Sequence, residues 1–411
     1  MKWSSNSLAA QMAAATILVA SSFGGIEDTR ASDHFDSPAM VANPQADIAD
    51  IYAWTTPDRR LNLAMTIVGH SFSDRISYEF HIDSGKVFGQ TTASTLIVCR
   101  FPGPRVADCK VGDVDSAHGD ATRPTGLEGQ NHKFRVFAGL RDDPFYNNVK
   151  GSLGAYGAQA AAVKAGAVVD KAGCPQIDSA TAQKIADQWS HTDGGPATNL
   201  LANGTASAIV ISLDLAVVNK GGNLLAIWGA TASPTRQIDR MARPFVGNTL
   251  LGSAPFSNDQ ASSDIRDRYD AATPNTSSTY VPMIEKTLAM QDSLDGKCGN
   301  QLLAGKDQDS PTRYRALARV FADDRLWVNS ATHVCTQFFA VELASLAGRK
   351  DFENDCGGRS PAYDTPNAWR SLLLTGATDG IHWDGLSHDE HAPSATVFPF
   401  LAPPDPHGID H

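Results

Sequence analysis

Leu61-Asn62-Leu63-Ala64-Met65-Thr66-Ile67-Val68 decides the fold class. Apolar side chains fall at 61, 63, 65 and 67, a period of two. Side chains on an extended chain alternate between faces, so this stretch predicts a β-strand with one face buried. Similar short runs, rich in β-branched and aromatic residues, lie on either side of it at 51–54, 78–82, 95–100 and 134–138. Turn residues separate them: Pro57-Asp58, Asp83-Ser84-Gly85 and Pro102-Gly103-Pro104. Short strands at regular spacing favour an antiparallel sandwich over a sheet alternating with helices. Two further strands, 208–215 and 223–228, are linked by Asn219-Lys220-Gly221-Gly222, which predicts a hairpin.

Helical character comes later in the chain. The Ala-rich stretch 155–169 and the stretch 179–189, which opens on Ser179, predict helices. Residues 253–280 are rich in Ser, Asp and Asn and predict a long loop. Segments 312–321 and 326–346 predict amphipathic helices; in the second, Trp327, Val334, Phe338, Phe339 and Leu343 recur at helical spacing, as core packing requires. The expected architecture is mainly β: an antiparallel β-sandwich with inserted and C-terminal α-helices (α+β). Residues 32–411 form a single sandwich-based domain with a helical insertion around 253–350.

Lys2, the uncharged apolar run 8–20 and the small residues after it predict a secretory signal peptide, residues 1–31. No second long apolar segment follows, so no membrane span is expected. The 411 residues are 42% hydrophobic, enough to fill a core, and carry a formal net charge of −11. That charge, without any Lys/Arg run, argues against nucleic acid as a partner. Six cysteines in an exported chain predict disulfides. Cys99 and Cys109 flank a Pro/Gly turn and are expected to pair across a hairpin; Cys298 with Cys356 is the second expected pair.

The chain resembles a family of exported bacterial proteins of unknown function. Mature chains of that family open with Ser-Ser-His-Arg-Glu-Ala-Pro, and Ser32-Asp33-His34-Phe35-Asp36-Ser37-Pro38 stands in that place here, which puts cleavage after Ala31. The family's Arg-Glu pair is replaced by Phe35-Asp36. Asp47, Asp50, Tyr52, Ala53 and Trp54 follow its Asp-x-x-Asp-x-Tyr-Ala-Phe signature. Gly139-Leu140-Arg141-Asp142-Asp143-Pro144-Phe145 matches its Gly-x-Arg-Asp-Asp-Pro-Phe motif, and Asp239-Arg240-Met241 with Arg243-Pro244 matches a later one. Gly357-Gly358-Arg359, Asp384-Gly385 and Phe398-Pro399-Phe400-Leu401 match its tail. The resemblance covers nearly all of the mature chain and brings no activity with it. The strand pattern is also similar to that of carbohydrate-binding and haem-binding sandwiches, at the level of fold alone.

Acidic residues supply the main chemical lead. His34, Asp36, Asp47, Asp50, Asp83, Asp142 and Asp143 are the candidate metal ligands, the aspartates lying at strand ends and turns. Carboxylates from several loops meet the six to eight oxygen ligands calcium takes, although an Asp at a turn also bonds its own backbone. Calcium is the first expectation. His34 beside Asp36 makes a transition metal the second, since imidazole suits zinc, copper and iron. Arg141, Asp239, Arg240 and Arg243 are candidates to hold a carboxylate or phosphate ligand. Because both signs of charge occur in each motif, an ion-pair network locking loops to the sandwich is the favoured alternative. The segment Ile381-His382-Trp383-Asp384-Gly385-Leu386-Ser387-His388-Asp389-Glu390-His391 is dense in ligand types and reads first as a solvated loop, second as a metal site.

No Gly-x-Ser-x-Gly elbow, Gly-x-Gly-x-x-Gly loop or Cys-x-x-Cys-His sequence occurs, so no nucleotide cofactor is expected and no catalytic residue can be named. Three readings stay open. The first is a cation-stabilised, non-enzymatic sandwich that binds a small molecule, glycan or protein. The second is a metal-dependent hydrolase or oxidoreductase built around His34, Asp36 and the Asp-Asp motif. The third is a haem-binding sandwich with a His or Met axial ligand.

Overall fold

The computed structural model describes residues 37–405 apart from 203, 258 and 379–382. His34, Asp36 and the expected cleavage site after Ala31 lie outside the described residues. The strands are β1 (Ile48–Thr56), β2 (Arg60–Ile67), β3 (Ser77–Gly85), β4 (Ala93–Gly103), β5 (Val106–Val111), β6 (Asp115–Gly119), β7 (Leu127–Glu128) and β8 (Phe134–Asp142). After two helices come β9 (His191–Thr192), β10 (Gly195–Pro196), β11 (Thr205–Asp214), β12 (Leu224–Ala232), β13 (Gln237–Met241) and, much later, β14 (Leu326–Asn329). They form a five-stranded sheet in the order β1-β2-β11-β8-β7 and a seven-stranded sheet in the order β13-β12-β3-β4-β5-β6. β14 shares the outer side of β12 with β13, pairing with 224–227 while β13 pairs with 229–232. β9 and β10 form a separate small ribbon. All named pairings are antiparallel, as expected for a sandwich with helices around it.

The alternation in β2 points Leu61, Leu63, Met65 and Ile67 into the inter-sheet core, where all four are fully buried. The sheets approach closely at Gly229 of β12, where an added Cβ would lie 2.5 Å from Ile51 Cδ1 and 2.8 Å from Met65 Cε. The opposite face differs from expectation: Asn62, Ala64 and Thr66 are buried as well. A second layer covers them. Trp54 donates from Nε1 to Ala395 O (2.9 Å) and packs edge-on against Phe400, their centroids 4.9 Å apart. Arg359 lies over the ring of Tyr52 at 4.1 Å. Beyond it, Phe145, Phe245, Trp369 and Phe321 continue ring to ring into the helical part. The polar half of the alternation therefore faces a buried polar layer and not water.

The segment 357–359 joins the two sheets. Arg359 exchanges both backbone hydrogen bonds with Ala53 of β1 (2.8 and 2.9 Å), and Gly358 N donates to Trp327 O of β14 (2.9 Å). Gly357 and Gly358 both have φ of +64°, and a Cβ on Gly358 would collide with Ala53 O, so this crossing needs glycine.

Several local expectations are corrected. β11 and β12 do not form a hairpin, because they belong to different sheets. A helical turn, Leu215–Val218, capped by Asp214 through Ala216 N (3.0 Å), redirects the chain after β11. Gly221 and Gly222 then allow close approach to the end of β3. The helix expected at 155–169 is Val149–Lys164, started by Asn148, while Ser179–Trp189 falls where its Ser-led sequence puts it. Segment 253–280 is no long loop: it holds the helix Gln260–Asp270, capped by Asp259, and the 3-10 turn Pro274–Tyr280. Its Ser and Asp residues serve the cap and buried positions such as Ser262 and Ser263. Arg315–Asp323 is helical, but 326–346 splits into β14 and the helix Ala340–Leu346, because β12 offers an open side to which Leu326–Asn329 adds.

Three disulfides lock the fold. Cys99 and Cys109 sit directly opposite each other on β4 and β5 and are bonded, as expected. Cys298 pairs with Cys174, not Cys356, and Cys356 pairs with Cys335. The expected Cys298–Cys356 bridge fails because the helical segments carry Cys298 to the loop after Val149–Lys164, while β14 brings Cys335 beside Cys356. No helix among the described residues is long and apolar enough to cross a membrane.

Candidate functional site

The sandwich is open at the end where β8 finishes, β2 leaves the sheet and β11 begins. A cleft of about 570 Å³ lies there between the sheets. Strand periodicity aims Ala107, Ala138, Leu140 and Ser207 at this space, where deeper inward positions carry larger groups such as Val136, Ile209 and Ile97. Small residues at core positions leave room that the neighbouring strands fill. Phe72 and Phe101 stack at 4.0 Å on one wall, with the Tyr78 ring edge-on to both. The Tyr78 hydroxyl donates to Gln45 O and accepts from Ser73 N, each at 2.9 Å, which fixes the rim loop. Burial pushes that phenol up to about 12, so it stays protonated. His70, Ser71, Asp74 and Arg105 supply polar groups at the mouth; Arg105 Nη2 donates to Asp120 Oδ2 at 3.0 Å.

One residue pair past the cleft wall, β8 delivers the Asp-Asp motif. Asp143 turns into the buried polar layer, where Tyr52 Oη donates to its Oδ1 (2.7 Å) and Thr66 Oγ1 to its Oδ2. Arg359 binds Asp50 alongside, through Nη1. Burial, reinforced by the Asp50 charge, pushes the Asp143 carboxyl up to about 8. Asp142 turns the other way, toward the C-terminal segment. His391 Nδ1 stands 3.5 Å from its Oδ1, and its carboxylate meets that of Asp389. Asn199 Nδ2 donates to Asp389 Oδ1 (3.1 Å) and to Glu390 Oε2 (2.8 Å). Burial pushes Asp142 up to about 7 and Asp389 to about 9, with the neighbouring carboxylates adding to both.

The other expected ligands go elsewhere. Asp47 is buried at the start of β1, where its carbonyl accepts from Val68 N (3.1 Å). Asp83 lies on the outer face of the seven-stranded sheet, 3.3 Å from Arg325 Nη1. Nearby, His81 stacks on Trp228 at 3.9 Å beside a second cleft of about 480 Å³. Asp47, Asp50, Asp83, Asp142 and Asp143 thus do not converge on one point. Among the described residues, the three ligand-type side chains whose atoms do draw within 4.8 Å of one another are Asp170, Cys174 and Cys298, and both cysteines are committed to their disulfide.

Of the arginine motifs, Arg243 forms an ion pair, while Arg141 and Arg240 lie over aromatic rings. Arg243 Nη2 meets Glu342 Oε1 at 2.5 Å in a buried pair, and Arg243 Nη1 donates to Val320 O (2.9 Å). Asp239 accepts from Ile48 N (2.7 Å) and Arg240 N (2.6 Å). Arg240 lies 3.8 Å over the Tyr269 ring, and Arg141 4.2 Å over Phe137. In the 381–391 segment, Asp384 is buried and receives Arg370 Nη1 (2.8 Å) and Asn367 Nδ2 (2.9 Å), which anchors a loop whose Gly385, Ser387, His388 and Glu390 are exposed. Asn199 lies outside the candidate residues, and Asp389 and Glu390 enter them only through the 381–391 segment, whose second reading is a metal site. The density of ligand types in that segment was the available signal, but nothing local says that Asp142 lies opposite.

Compared with protein-family models, curated proteins and solved structures, the chain matches none of them.

Proposed function

We propose that this chain is an exported, non-catalytic β-sandwich that binds a small molecule in the cleft between its sheets. The inter-sheet cleft carries the reading: its volume falls in the range of small-molecule sites, and it combines an aromatic wall with a few polar groups at the mouth. Export is supported by the charged, apolar and small-residue N-terminal sequence and by three disulfides. The resemblance to exported bacterial proteins fits the same picture. Its Gly-x-Arg-Asp-Asp-Pro-Phe motif supplies Gly139 and Leu140 to the cleft, Asp142 to the C-terminal contact, and Asp143 and Phe145 to the core.

Anilinonaphthalene sulfonate, which fluoresces in apolar sites, tests the cleft. The expected result is saturable single-site enhancement, about tenfold weaker in affinity for Ser207→Leu at unchanged melting temperature. No saturable binding, or equal binding by Ser207→Leu and by Ala138→Leu, would falsify the reading.

A further inference from the structure

We infer that Asp142, Asp389 and Glu390 form a binding site for a hard divalent cation, calcium first, which clamps the C-terminal segment onto the end of β8. The observation behind this is a pair of buried oxygens with nothing to receive. Asp142 Oδ2 and Asp389 Oδ2 are both shielded from solvent and receive no hydrogen bond from an N–H or hydroxyl group; the two carboxyl groups meet each other directly, a contact that only a shared proton or a cation can hold together. The Asp142 side chain is 1% exposed. A buried carboxylate left without a donor or a counter-ion is costly, and two facing each other more so.

The surroundings add negative charge, with one basic group, His391, 3.5 Å from Asp142 Oδ1. Glu390 contacts Asp389, while Asp143 and Asp405 lie close enough to Asp142 to act on it electrostatically. Asn199 approaches through its amide nitrogen, and His391 through Nδ1, which has no hydrogen-bond partner. Among the described residues, no Lys or Arg forms an ion pair with Asp142, Asp389 or Glu390. The buried ion pairs elsewhere show the contrast: Asp50 has Arg359, Asp384 has Arg370 and Glu342 has Arg243.

Carboxylate oxygens select hard cations, and calcium tolerates irregular geometry with water completing its shell. The ligand atoms form a chain of contacts, Glu390 to Asp389 to Asp142, and are not closed around one point. Glu390 is exposed, so it can rotate inward and leaves a path from solvent. A cation here joins β8 to the segment 389–405, which already meets β8 through Asp142 N to Ala402 O (3.1 Å). The site is separate from the inter-sheet cleft, so each stands or falls on its own measurement.

The test is the melting temperature of the purified full chain, stripped with chelator and dialysed, then titrated with calcium, magnesium or zinc chloride at pH 8. The expected result is a saturable rise of several degrees with calcium. Asp389→Asn removes one charge and lets an amide donate to Asp142, so it should melt no lower than the stripped wild type and lose the response. If that variant does not fold, Glu390→Gln should need several-fold more calcium for the same rise. Asp83→Asn, at the Arg325 pair, should respond as wild type does. No response to calcium, an undiminished response in both site variants, or a response to zinc alone overturns the assignment.

Discussion

Arg243 and Glu342 stand ninety-nine positions apart in the chain and form one of its least exposed ion pairs. Arg243 also donates from its backbone N to Asp324 Oδ1 (2.8 Å), so its guanidinium and main chain are both fixed. Removing one partner leaves a buried charge uncompensated. Glu342→Ala should therefore cost about 3–5 kcal/mol of stability in urea unfolding, and Arg243→Met with Glu342→Leu should recover much of it. A loss under about 1 kcal/mol for Glu342→Ala would show that water reaches the site. The sequence of the Arg240 and Arg243 motif is legible as ion-pair chemistry because both charges occur within it. Its partner is not, since Glu342 sits in an ordinary amphipathic stretch and only the fold brings it across. The same holds for Asp50, whose partner Arg359 comes from the far end of the chain. Acidic residues at turns look alike in sequence whether they meet an arginine, a backbone amide or another acid.

At the scale of elements, strands were legible and their neighbours were not. A period of two places Leu61, Leu63, Met65 and Ile67 on one face with no knowledge of the rest of the molecule. Whether the other face meets water depends on Arg359, Ala395 and Phe400, which no local pattern reveals. The stretch 326–346 misled because four residues suffice for a strand when the open side of β12 at 224–227 awaits them, and helical spacing arises by chance over such lengths. Asn148 illustrates how elements are joined. Its Oδ1 accepts from Gly151 N (3.0 Å) and from Thr192 Oγ1 (2.9 Å), capping Val149–Lys164. Its Nδ2 donates to Trp189 O (3.0 Å) and His191 O (3.1 Å), closing the end of Ser179–Trp189. Asn148→Ala should lower stability by about 2 kcal/mol, from a lost cap and stranded carbonyls together. Asn148→Asp keeps the cap but loses the donors, and should be no better than alanine. Amide exchange should speed up at both helix ends; a change confined to the first helix would sink this coupling.

Across the whole molecule the disulfides differ in how much chain they constrain. Cys99–Cys109 closes a hairpin with a sequence separation of 10, whereas Cys174–Cys298 spans 124. In the chain-entropy picture these correspond to about 3 and about 5 kcal/mol. Paired Cys→Ser replacement at 174 and 298 should thus lower the unfolding midpoint more than replacement at 99 and 109; the reverse order would mean that native-state contacts dominate. Cys335–Cys356 closes a loop immediately before Gly357-Gly358-Arg359, the segment that crosses from β14 to β1. β1 is the last strand of its sheet, and its outward amides and carbonyls would otherwise be a template for another chain. With Arg359 bonded to Ala53 on that side, the strand offers a foreign β-segment no continuous ladder to extend. The crossing thus guards the fold against edge-to-edge aggregation, a hazard for any β-rich protein.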